Sequence, residues 1–227
     1  FHLKANKDIL AELTDFQATE TRSGLKVDKL ASTFSMLQND SDSLGMRMIF
    51  EETVLKTGRS SIELQGQLRN ARPDSVLEGF FPEFQAHLLP SVIDFTTLNY
   101  LLPKSLPMTD TIRLEGPVRG DLSGIYSDSL HFGMYEDTNL ELALALTDYT
   151  NADDLGMMFD IRDGTLSFDE LQRFLPETDI PLKGIAQLQG EVTGDLDHFS
   201  SRDLRITYGN ETELQIKARL NDYTKGD

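Results

Sequence analysis

The sequence predicts a mainly β chain assembled from repeated strand-rich units with short amphipathic helices. Three observations lead there. First, sliding the sequence by 74 residues lays 114–150 over 188–224 without a gap, with 14 identities in 37 positions; average composition would give about two or three. Second, apolar residues within the repeat alternate with polar ones, the period of a half-buried strand. Third, the stretches upstream, IDFTTLNYLLP at 93–103 and LSFDELQRFLP at 166–176, share apolar residues at helical spacing and a closing proline.

Along the chain, the first ~40 residues are the least regular, and NKDILAELTDF reads as a short helix. Leu44, Met46, Met48 and Phe50 alternate, as do Ile62, Leu64 and Leu68. PEFQAHLLPSV, with Pro82 and Pro90, reads as a connector. Phe95, Leu98, Leu102 and Pro103 match Phe168, Leu171, Leu175 and Pro176, so each unit begins with a helix. Ser167 and Glu170 have capping-box spacing, and Asp94 offers a similar N-cap. Leu130, Phe132 and Met134, then Leu140, Leu142, Leu144 and Leu146, are strands of the first copy. Leu204, Ile206 and Tyr208, then Leu214, Ile216, Ala218 and Leu220, are their counterparts. Turns at 136–138 and at Gly209-Asn210 make hairpins of them. The resulting division is an N-terminal β-rich segment over 1–90, one unit over 91–154 and a second over 155–227.

Composition narrows the function. The formal charge is −17, which repels a phosphate backbone and sets nucleic acid aside. Cysteine is absent, which removes disulfides, thiolate metal sites and cysteine nucleophiles. No apolar run approaches the ~18 residues that span a bilayer. FHLKANKD has no initiator Met and no signal-peptide core, so a piece of a longer protein is expected, with any anchor outside it.

Several stretches tempt towards chemistry. DIRDGTLSFDEL has the outline of a calcium loop, but with Gly164 at position 6 the first and third positions fall on Phe159 and Ile161, which carry no oxygen. Ser167 and Glu170 are better explained as a helix cap. His2, His87, His131 and His198 have no metal spacing. Glu51-Glu52 and Asp153-Asp154 are neighbours on opposite faces if on strands, and solvated or turn positions suit them better than a catalytic pair. Asp121 and Asp195 recur after glycine, which suits a turn carboxylate. The sequons at Asn39 and Asn210 are chance-level motifs. No metal, no cofactor and no catalytic residue is expected, and the chain reads as a non-enzyme.

An apolar face repeated through both copies has two uses: a closed core between two layers, the ordinary fate of such faces, or an open trough. The helix-then-strands unit with its G-x-V-x-G-D-L turn resembles the AsmA-like and TamB families of bacterial envelope proteins. SGLKVDKLASTFSM followed by LKTGRSSIELQGQL is similar in spacing to TamB-type proteins of Bacteroidetes-like bacteria. The resemblance implies an elongated, curled antiparallel sheet of U-shaped section with an apolar inner face. It implies a periplasmic, inner-membrane-anchored protein that serves phospholipid transport or outer-membrane assembly, with phospholipid acyl chains and an Omp85-type barrel as partners. Carried over by position, Leu130, Phe132, Leu140, Leu142, Leu204, Ile206, Leu214 and Ile216 would line the trough. A structural or adhesive module with a closed core is the alternative, and an envelope polysaccharide-active enzyme a remote one.

Overall fold

The computed structural model describes residues 2–5, 9–19, 24–38, 46–69, 82–100, 110–149, 151, 154–174, 183–195, 198–209 and 212–221. They form one antiparallel sheet in which every strand pairs with its neighbours in sequence. The strands are β1 (His2–Ala5), β2 (Ile9–Thr19), β3 (Lys26–Gln38), β4 (Met46–Thr57), β5 (Ser60–Arg69), β6 (Glu83–Asp94), β7 (Thr111–Gly120), β8 (Gly124–Met134), β9 (Thr138–Thr147), β10 (Gly156–Ser167), β11 (Ile185–Gly194), β12 (His198–Tyr208) and β13 (Thr212–Asn221). Helix α1 (Phe95–Asn99) follows β6, and α2 (Phe168–Phe174) follows β10. The sheet is a single layer and does not close into a barrel: β1 and β13 are its two edges.

The sequence repeat is reproduced to the residue. β7, β8 and β9 begin and end 74 positions before β11, β12 and β13, while β6 and α1 begin 73 before β10 and α2. Two expectations fail. NKDILAELTDF is no helix: its described part, from Ile9, belongs to β2, where Ile9 and Ala11 stand beside Met36 and Phe34 of β3 on one face, as alternate residues of a strand can. PEFQAHLLPSV is no connector but most of the central strand β6. Pro90 is tolerated there because it falls where pairing slips on both sides, between Leu88 and Ser91 opposite β7 and opposite the Ser61–Leu64 slip of β5. A bulge needs no N–H from it. Leu102, Pro103, Leu175, Pro176, Leu44, Asn39 and Asp222 to Thr224 lie outside the described residues.

Such slips recur in eleven of the twelve strand pairs, all but β1–β2. Each bulge bends its strand and adds local twist. Repeated from strand to strand, they let a single sheet curl. Gly116 and Gly190 sit at equivalent slips with φ of +138° and +129°. A Cβ there would lie 2.5 Å from the Ser129 carbonyl or 2.7 Å from that of Asp203. Gly116→Ala and Gly190→Ala are each expected to cost about 1–3 kcal/mol, read as a lower urea midpoint.

Burial is confined. Leu130, Leu142 and Ile161 form one buried cluster, and Phe95, Ile112 and Met134 another. Only ten apolar side chains among the described residues are buried, which a closed two-layer core of this width would far exceed.

The helices stand at one set of strand ends, here termed the helix rim. There the same lock is built twice. The amide of the residue before each helix donates to a buried hydroxyl on the preceding hairpin: Asp94 to Ser60 Oγ at 2.9 Å, Ser167 to Thr138 Oγ1 at 3.0 Å. The first helical amide donates to the carbonyl of a left-handed residue before the next strand, Phe95 to Asp110 and Phe168 to Gly184. The third helical residue reaches the hairpin turn: Thr97 Oγ1 donates to the Thr57 carbonyl at 3.4 Å, and the Glu170 carboxylate accepts the amides of Glu136, Asp137 and Thr138 at 2.7–2.9 Å. Ser167 does cap α2, its Oγ accepting the Glu170 amide at 3.3 Å, and Asp94 caps α1 through the Thr96 amide. The capping box, however, is not reciprocal, since Glu170 is drawn to the hairpin and Ser167's own amide to Thr138.

Candidate functional site

Strand register assembles the site. Starting at the N-terminal edge, cross-strand partners run Ala5, Ile9, Met36, Met48, Leu68, Phe84, Gly120, Ile125, Leu146, Met157, Gly194, Phe199 and Leu220. All thirteen strands contribute one residue, and every one is apolar or glycine. At about 4.8 Å between strands, this stripe is about 58 Å long. It runs near the rim opposite the helices. Ile9, Met36, Met48, Leu68, Phe84, Ile125, Leu146, Met157 and Phe199 are all half-buried. Neighbours in the sheet cover their flanks, and among the described residues no second layer covers their tips.

A second row lies two residues deeper. Ala11, Phe34, Phe50, Gly66, Ala86 and Val118 are successive partners across β2 to β7, and Leu144, Phe159 and Val192 continue them on β9 to β11. The Phe34 and Phe50 rings stand 6.3 Å apart. The two rows make an apolar band rather than isolated contacts.

The eight residues expected to line a trough lie on this same face, nearer the helix rim. Phe132 pairs with Leu140 and Leu130 with Leu142; Ile206 pairs with Leu214 and Leu204 with Ile216. Their exposure divides them. Leu130 and Leu142 are 4 % and 5 % exposed and packed with Ile161 into the crease of the curl. Phe132, Leu140, Leu204, Ile206 and Ile216 are half-buried, and Leu214 is 48 % exposed at the edge strand. Leu130 and Leu142 are therefore floor, while the other six are at least as accessible as the stripe residues and continue the apolar face towards the helix rim. The repeat carried a signal for the stripe: Ile125 and Leu146 match Phe199 and Leu220 at the 74-residue offset. The N-terminal members Ile9, Met36 and Phe84 had none, because their partners are set by register across segments without repeat identity.

The opposite face is polar. A depression of about 490 Å³ is bordered by Arg113, Glu115, His131, Glu141 and Asp163 among others. Glu115, His131, Glu141 and Asp163 are direct neighbours on four successive strands. Glu115, His131 and Asp163 are exposed and Glu141 half-buried. His87 is exposed, and His198 contacts the Asp195 carboxylate at 3.0 Å; the His2 and Asp153 side chains lie outside the described residues. Glu51 and Glu52 are exposed. Among the described residues no cluster has the composition of a metal site, and no helix is long and apolar enough to cross a membrane.

The turns between the second and third strands of each unit carry Asp121 and Asp195. Asp121 Oδ1 accepts the Ser123 amide at 2.7 Å, the Ser123 hydroxyl at 2.6 Å and the Gly124 amide at 3.1 Å. Asp195 Oδ1 accepts the His198 amide at 2.8 Å. Those Ser123 bonds hold the Asp121 carboxyl below the usual carboxylate range. Its contribution to stability is thus present above about pH 3.9 and fades as pH falls through the folded value. Asp121→Ala is expected to cost about 1 kcal/mol at pH 7 and less at pH 3, measured by chemical denaturation at both.

No protein-family profile, curated protein or solved structure matches the chain.

Proposed function

We propose that the chain is the periplasmic part of a hydrophobic-groove protein that carries phospholipid between membranes or serves outer-membrane assembly, without catalysis of its own. The observation that supports this reading is the stripe: thirteen consecutive strands each place an apolar residue or glycine on one line, and none of the described side chains along it is fully buried. An acyl chain occupies about half of a ~30 Å hydrocarbon core, about 15 Å. A stripe of about 58 Å is several times longer, a track rather than a pocket. Each methylene withdrawn from water contributes about 0.8 kcal/mol, and aliphatic side chains recognise tails without selecting among them. The apolar face repeated in sequence, the curled single sheet and the resemblance to AsmA-like and TamB proteins point the same way. The formal charge of −17 keeps the outer surface in water.

A photo-crosslinking residue at 157, with 158 as its control, tests the reading in cells. Met157 lies in the stripe, while Met158 is its neighbour on the other face and 37 % exposed. Lipid captured at 157 and not at 158 is expected. Lipid at neither, with the protein folded, would favour a structural module instead.

A further inference from the structure

The rim lock described above joins each unit to the one before it: α1 closes on the β4–β5 hairpin and α2 on the β8–β9 hairpin. The β12–β13 hairpin is the next in the series. Thr212 stands where Ser60 and Thr138 stand, as the first residue of the last strand of a unit. Ser60 and Thr138 are 3 % and 1 % exposed and each accepts an amide from a strand–helix junction. Thr212 is exposed. Leu214 is likewise 48 % exposed, whereas its counterpart Leu140 is half-buried beneath the neighbouring β10. The apolar stripe also reaches β13, at Leu220, and stops at an edge strand whose outer side no described strand pairs.

We infer that β13 is a docking edge for a strand–helix segment of the β6–α1 and β10–α2 kind. Its occupant is an extended strand with alternating apolar residues, ending in Asp or Ser as helix cap, then Phe, and Thr or Glu two residues on. The strand adds to β13 by main-chain hydrogen bonds. Its final amide reaches the Thr212 hydroxyl, and its third helical residue closes on the turn after Tyr208. Such docking continues an interface that the chain builds twice, each time with a junction amide on a hairpin hydroxyl and the first helical amide on the carbonyl of a left-handed residue. The inference stands apart from the lipid reading, since the edge has this form whatever the groove carries.

The test uses the 227-residue chain and a labelled peptide with the sequence of residues 156–174. Saturable one-to-one binding by anisotropy is expected, with amide hydrogen exchange slowed along 212–221. A peptide carrying Phe168→Asp should bind at least tenfold more weakly. The chain variant Thr212→Val, shown folded by circular dichroism, should bind the unaltered peptide at least threefold more weakly. Absence of binding, equal binding of the Phe168→Asp peptide, or protection confined to β9, where the peptide would replace β10, would each overturn the inference. So would a dimer of the chain whose β13 amides are already protected without peptide, since a second copy would then be the occupant.

Discussion

Ile125→Asp and Met157→Asp are expected to cut lipid capture at a crosslinker placed at 199 by more than tenfold, with the protein still folded. Both residues lie on the stripe between Phe84 and Phe199. A carboxylate beside an acyl chain must keep its water or lose it at a cost of several kcal/mol, more than the few methylenes passing that strand return. A groove that works as a track fails at its worst point, so one charge interrupts the whole. The folding cost is small, because both side chains are half-buried and the Asp retains access to solvent. The paired control is Met158→Asp on the other face, which should leave capture unchanged. Equal capture in all three variants would remove the stripe from the function, while a loss in all three would place it in folding.

Glu170→Ala should be the most damaging single substitution at the helix rim. Glu170 is 6 % exposed, and its carboxylate is the acceptor for three consecutive amides of the β8–β9 turn. Truncation strands those donors, and a loss of about 3 kcal/mol is expected. Burial by itself would raise the Glu170 carboxyl, but the amides of Asp137, Glu136 and Thr138 outweigh it and hold the group below the usual range. A depressed carboxyl contributes stability above its unfolded value, about pH 4.3, and loses it as pH falls through the folded value. The difference between the native chain and Glu170→Gln should therefore be full at pH 7 and narrow towards pH 3. Denaturation midpoints at the two pH values check this; an equal difference at both would mean that the charge of Glu170 does not hold the turn.

The repeat was the legible part. Its alternation located β8, β9, β12 and β13 and gave the face of each, whereas G-x-V-x-G-D-L read as a turn and its residues 116–120 and 190–194 are the ends of strands β7 and β11. Asp121 read correctly as a turn carboxylate because its partners, on Ser123 and Gly124, lie within three residues of it. Two segments misled for opposite reasons. NKDILAELTDF contains apolar residues compatible with either period, and pairing with β3 decided for the strand. In PEFQAHLLPSV the prolines argued for a connector, and only the aligned slips of β5 and β7 show where a proline can sit in a central strand. Glu170 was assigned to its own helix, because nothing local reveals that the turn it serves lies 33 residues earlier.

The candidate site divides along the same line. By itself the sequence determined that the chain is β-rich, repeated, acidic and apolar on one face, since alternation and self-similarity are properties of neighbours along the chain. Whether that face is sealed or open was decided by tertiary structure alone. Alternation is identical in a sandwich and in a single curled sheet. The choice between them rests on what lies opposite the face, and among the described residues no second layer does. The line from Ile9 to Phe199 likewise exists only through register: a one-residue slip at any strand would turn that strand's contribution to the polar side. Such a line belongs to the pairings, and no segment read alone contains it.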